Sequence, residues 1–177
     1  MHTMKISQEL PQFTEISALL LVLGRQTAVF YAAQNGEISE IEEFRIENPH
    51  YSDKEGFFAA RGGGKVFRSG AVREFQKWVV LRKFTKELNR KFSTADAAYH
   101  PDHIYFFAPA YLRPTIERAI SRALQGRVVG SFDGNFQNSH PFELLKMIQA
   151  RDARGRVVPT SREAQKILKK RVPEDGL

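Results

Sequence analysis

The residues best suited to chemistry here are Arg61-Gly62-Gly63-Gly64-Lys65, followed by Arg68. Glycine reaches positive φ at little steric cost, and successive bare N–H groups form a nest for an anion. Arg61, Lys65 and Arg68 place cations around that nest, which suits a phosphate. The spacing is not that of a Walker loop, because no Gly-Lys-Ser/Thr follows, and it is not a dinucleotide fingerprint. A solvent-exposed loop with no ligand accounts for the same residues. His100-Pro-Asp-His103 offers two imidazoles and a carboxylate, but the proline spoils a shared coordination geometry and no third ligand is evident, so no metal is expected. Asp133 and Glu143 alone do not make a two-metal nuclease site, since the first long strand carries no acid. No nucleophile elbow is visible. Tyr31, Tyr105 and Tyr111 can stack on bases, although tyrosines in strands more often serve the core or its rim.

Charge gives these residues a direction. The chain of 177 residues carries a formal +7. Positions 61–92 hold ten Lys/Arg against two Glu, and positions 151–177 hold eight against four acids, so the remainder is acidic. A basic loop, helix and tail on an acidic body attract a polyanion. The competing explanation is a set of solvated surface cations. Cysteine is absent, which excludes disulfides and thiolate metal sites. The longest apolar run, Ala18 to Leu23, is strand-sized, so no membrane span and no exported leader are expected, and a cytoplasmic setting follows. No cofactor is expected.

The elements that position these residues can be read in order. Residues 1–16 form an arm without a strong pattern; Leu10-Pro11 argues against a continuous helix. Ser17 to Gly24 reads as a strand buried on both faces. Thr27 to Ala33 pairs with it antiparallel. Asn35-Gly36 is a type I′ hairpin signal. Glu37 to Glu47 alternates as a third strand, with an irregularity near Glu42-Glu43. After the loop, Ser69 caps a helix of about 24 residues to Phe92. Val72, Phe75 and Val79 share one stripe, and Trp78, Leu81, Leu88 and Phe92 the next. Arg82, Lys86 and Arg90, at i, i+4 and i+8, line one side. Ser93 to Pro101 reads as a loop, His103 to Ala108 as a strand, and Arg113-Pro114 to Gln125 as a helix ended by Gly126. A strand over Arg127 to Phe132 and a helix from Phe142 to Ala150 complete the domain. Asp152 to Pro159 then reads as a linker, and Ser161 to Val172 as a short cationic helix. The expectation is an α/β domain over 17–150. It has a single mixed five-stranded sheet, an antiparallel meander followed by parallel βαβ, with helices on its faces. Positions 151–177 form a basic tail.

This order of elements resembles the middle domain of the class-1 peptide-chain release factors of eukaryotes and archaea, and of their relative Pelota. It also resembles small bacterial release-factor-like proteins, many of which carry the label host attachment protein. Three stretches carry the likeness: Ala18 to Ala33 as the opening hairpin, Arg61-Gly62-Gly63-Gly64 before the basic helix as the Gly-Gly-Gln loop, and Arg127 to Asp133 with Gly134-Asn135-Phe136 as the last strand and its turn. The resemblance spans roughly 17–150 and implies a free-standing copy of that domain. It implies ribosomal RNA or tRNA as partner, with the loop entering the peptidyl-transferase centre. Gly62 and Gly63 match the two glycines, but Gly64 stands where the Gln would be. Pelota also lacks the motif and does not release peptides, so the resemblance implies RNA docking without release. In this reading Arg61, Lys65 and Arg68 contact phosphates near the loop, while Arg73, Lys77, Arg82, Lys86 and Arg90 hold the backbone along the helix. A peptidyl-tRNA hydrolase, and a protein-interaction module or homodimer using the sheet edge or the tail, are the alternatives.

Overall fold

The computed structural model describes residues 3–47, 70–120 and 122–155. The glycine loop, Arg68, the cap position Ser69 and the tail beyond position 155 lie outside these residues. Six strands form one sheet in the order β1-β4-β3-β2-β5-β6. They are β1 (Thr3–Lys5), β2 (Ala18–Leu23), β3 (Thr27–Gln34), β4 (Glu37–Arg45), β5 (His103–Ala108) and β6 (Val128–Asp133). The first four are joined antiparallel, while β5 lies parallel to β2, and β6 parallel to β5. The expected mixed sheet is therefore present, with six strands rather than five.

The extra strand comes from the N-terminal arm, whose three strand residues are too few to show a period. Met4 pairs opposite Ile38, and the arm then wraps the β3–β4 turn. There Ile6 N–H donates to Gly36 O at 2.7 Å, and the Gly36 N–H donates to Gln12 O at 2.7 Å. Ile6, Leu10 and Phe13 are buried along this path. The turn itself is as the sequence requires, with positive φ at both Asn35 and Gly36.

Every residue of β2 is buried, because it lies centrally and both its faces are covered. Leu19, Leu21 and Leu23 enter one core with Phe84, Leu88 and Phe92 of α1 (Gly70–Tyr99). Leu20 and Val22 enter the other with Leu144, Leu145 and Ile148 of α4 (Pro141–Gly155). The irregularity expected in β4 is a register shift: Tyr31 pairs with Glu40 but Phe30 with Glu42, leaving Ile41 as the extra residue. Even-numbered residues therefore change face across it. Ile38 packs toward α4, whereas Phe44 packs toward α1.

Three boundaries differ from the sequence reading. Helix α1 runs on to Tyr99 instead of stopping at Phe92. Ser93-Thr94-Ala95-Asp96 looks like a loop, yet Ala95 is buried and Thr94 Oγ1 donates back to Arg90 O at 3.1 Å. His100, at φ 43°, ends the helix with its N–H on Asp96 O at 2.9 Å. The helix expected from Arg113 to Gln125 is divided into α2 (Arg113–Ala119) and α3 (Arg122–Gln125) by an extended Ile120, which is itself buried. Helix α4 continues through the start of the expected linker, to Gly155.

Candidate nucleic-acid interface

Helix α1 buries Val80, Phe84, Leu88, Phe92 and Ala95, at steps of three or four residues. That stride turns Trp78 and Leu81 outward, away from Leu88 and Phe92, with which their spacing groups them in one stripe. Trp78 is 55% exposed and Leu81 36%. The inward signal was legible at Phe84, Leu88 and Phe92, four residues apart, but the larger ring at position 78 suggested a different stripe.

Beside Trp78 the groove between α1 and α2 opens to 570 Å³, with Leu81, Arg82, Lys86, Asn89 and Arg118 along it. The Arg82 guanidinium carbon lies 5.4 Å from the Trp78 ring centroid, a cation–π arrangement that holds charge and aromatic surface together. Asn89 Nδ2 donates to Ala119 O at 2.8 Å and fixes α2 against α1. That contact places Arg118, which no motif in the sequence marked, on the same groove as Lys86.

The helix cations expected at i, i+4 and i+8 do not fare alike. Arg82, Lys86 and Arg90 are all exposed. Arg90, however, grips Glu87 through Nη2 at 2.5 Å and Nε at 3.1 Å. The hydrogen bonds and charge of Arg90 hold the Glu87 carboxyl below its ordinary value. Arg90 is thus matched within its own helix. Lys91 is also matched, with Nζ 2.7 Å from Glu42, tying α1 to β4. Arg73 and Lys77 fall within the first turns of α1. Arg61, Gly62, Gly63, Gly64, Lys65 and Arg68 lie outside the described residues.

The other candidates have separate settings. Tyr105 is buried and Tyr31 half-buried on the α4 side, and burial is the main reason both phenols are pushed up. Tyr111 is 63% exposed and does not line that groove. His103 begins β5 with a buried Nδ1 that has no hydrogen-bond partner among the described residues. His140 Nδ1 accepts the Phe142 N–H at 3.3 Å, just before α4. Between the two loop histidines, Asp102 accepts from Ser17 N–H at 2.8 Å and Ser17 Oγ at 2.9 Å. Those bonds hold its carboxyl below the ordinary aspartate value. Asp133 forms an ion pair with Arg113, and Glu143 lies in the first turn of α4. Among the described residues, no three His, Cys, Asp or Glu side chains converge as a metal site.

Fold and site together define a mixed-sheet α/β domain bearing an aromatic and cationic groove on its longest helix. No family model matches the sequence, and no curated protein matches it. Among solved structures, the crystal structure of the archaeal translation termination factor aRF1 is similar, at a TM-score of 0.41 and 8% identity over 77% of this chain. The matched region is 39% of that protein's length. A likeness that slight assigns neither family nor activity. No described helix is long and apolar enough to cross a membrane.

Proposed function

We propose that this chain is an RNA-binding domain that works with the translation machinery and docks the α1 face on ribosomal RNA or on the acceptor end of tRNA. The observation that carries the reading is the exposed Trp78 ring beneath Arg82, in a groove shared with Lys86 and Arg118. Keeping a tryptophan half in water forgoes burial worth roughly 25 cal/mol per Å². A stacking surface for a base returns about 1–3 kcal/mol. Cations within the same groove hold the backbone of a strand whose base lies on the ring. The translation setting rests on the sequence resemblance, in which the glycine loop and this helix form one RNA-facing unit. Gly64 at the position of the motif Gln makes the docking non-hydrolytic in this reading.

Sedimentation of cell extract through a sucrose gradient tests it. The protein travels with ribosomal particles or tRNA complexes at low salt and leaves them as salt rises. Migration at the top of the gradient in both conditions refutes the translation setting. Release of peptide from peptidyl-tRNA by the purified chain refutes the non-hydrolytic part.

A further inference from the structure

Strands β2, β5 and β6 are parallel, so their carboxyl ends lie along one edge of the molecule. From Leu23 the chain turns back into β3 on one side of β2. From Ala108 it leaves through a 3-10 turn and α2 toward β6, on the other side of β5. Diverging connections from neighbouring parallel strands leave a crevice between them, the usual place for a ligand in open α/β sheets. Here that crevice measures 550 Å³ and shares no residue with the α1 groove. Its size falls in the range of about 300–1,000 Å³ typical of small-ligand sites.

The lining is mixed in a specific way. Tyr111 presents a ring that is 63% exposed. Arg25 is exposed and makes no ion pair among the described residues. Asp133 is held by Arg113, whose Nη2 donates to both carboxylate oxygens at 2.8 and 2.9 Å. That grip fixes the carboxylate and leaves further lone pairs for hydroxyl donors. Asn135 Oδ1 accepts the Gln137 N–H at 3.4 Å, which leaves the two amide hydrogens of Asn135 as donors. The Gln137 side chain, at the rim of the crevice, donates to Thr27 Oγ1. It passes directly over Gly24, where an added Cβ would overlap Gln137 Nε2 unless that side chain moved.

We propose that this crevice binds a nucleoside 5′-monophosphate, either free or as the terminal unit of an RNA strand. The base stacks on Tyr111, the ribose hydroxyls donate to Asp133, and the phosphate is held by Arg25 and the Asn135 amide. A bare phosphate is a poorer fit because it leaves the Tyr111 ring and the remaining Asp133 lone pairs without a partner. A wholly apolar ligand leaves Asp133 and Asn135 without partners. The proposal stands whether or not α1 carries RNA.

Titration of the ¹⁵N-labelled full chain, followed by amide shifts, tests it with four nucleoside 5′-monophosphates, the matching nucleosides, inorganic phosphate and a short single-stranded RNA. Saturable shifts at Gly24, Gly134 and Asn135, with a midpoint near or below about 1 mM, support the proposal. So does binding at least about five-fold weaker for the nucleosides, as expected for loss of a charge-assisted contact. Tyr111→Ala and Arg25→Gln each weaken binding by about five- to ten-fold, while Trp78→Ala leaves it unchanged. In the Trp78→Ala protein, tighter binding of the oligonucleotide at these amides identifies a strand end as the ligand, and equal binding identifies the free nucleotide. The proposal is overturned if no nucleotide or oligonucleotide gives saturable shifts at about 10 mM. It is also overturned if inorganic phosphate binds as well as the nucleotides, or if both variants keep native spectra and full affinity.

Discussion

Trp78 and Phe84 lie six residues apart on one helix, and their truncation should have opposite consequences. Phe84 is fully buried among Phe44, Leu88 and the β2 leucines, with its ring centroid 5.6 Å from that of Phe44. Phe84→Ala removes a core ring and leaves a cavity, at about 3–5 kcal/mol. A domain of ordinary stability holds only about 5–15 kcal/mol, so this variant is marginal or unfolded. Trp78 keeps 55% of its surface in water. If about 100 Å² of it is covered, removal costs at most about 2.5 kcal/mol by area. The true loss is nearer 1 kcal/mol, because Arg82 and adjacent turns of α1 supply part of that cover and also shield the ring in the unfolded chain. Binding behaves the other way. Losing one base-stacking platform costs about 1–3 kcal/mol, or about 5- to 150-fold in Kd.

The assay is built into the chain, which has one tryptophan. Single-stranded RNA that stacks on Trp78 quenches its fluorescence on titration. Anisotropy of labelled RNA then compares Trp78→Ala with the parent, and thermal unfolding confirms that the variant is folded. With Arg82, Lys86 and Arg118 each meeting a phosphate, log Kobs falls against log salt with a slope of about −2, steeper if the glycine-loop cations add to it. Lys86→Gln or Arg118→Gln flattens that slope, whereas Arg90→Gln, whose charge is already matched by Glu87, leaves it nearly unchanged. A folded Trp78→Ala protein with undiminished affinity, or binding indifferent to salt, refutes the reasoning.

Two further predictions concern the frame. Arg127 Nη1 lies 2.8 Å from Asp96 and 3.2 Å from Pro101 O, joining the end of α1 to the start of β6. Both side chains are partly exposed, at 39% and 24%, so Arg127→Ala should cost only about 1 kcal/mol, a fall of about 2–4 °C in Tm for a chain this long. Asp102 has a folded-state acidity below the ordinary aspartate range because Ser17 donates to it twice. Its contribution is therefore present above the unfolded value and is lost as pH falls through the folded one. Asp102→Asn lowers stability near neutrality and makes it less dependent on pH over that acidic interval, which a series of thermal melts from below the ordinary aspartate range up to neutrality reads directly.

Much of the architecture was legible because local chemistry dictated it. The unbroken apolar run at Ala18 to Leu23 could be accommodated only at the centre of a covered sheet. Asn35-Gly36 fixed a turn that needs positive φ. Alternating strand and helix after position 100 required parallel pairing. The N-terminal strand was not legible, since three residues carry no period and its pairing depends on Ile6, Leu10 and Phe13 finding the face beside α4. The end of α1 was misread for a related reason. Ser, Thr and Asp favour loops locally, but burial of Ala95 and the Asp96–Arg127 pair draw them into the helix.

By itself the sequence determined where positive charge concentrates, which strands are central and where the chain turns. Only the tertiary structure decided which side of α1 meets water, because that depends on how Phe84 and Leu88 seat against β2 rather than on helical spacing alone. The same packing brought Arg118 beside Lys86 and opened the crevice at the strand ends between Arg25 and Tyr111. These residues are far apart or unremarkable along the chain, and contact between them exists only once the sheet has set the positions of its connections.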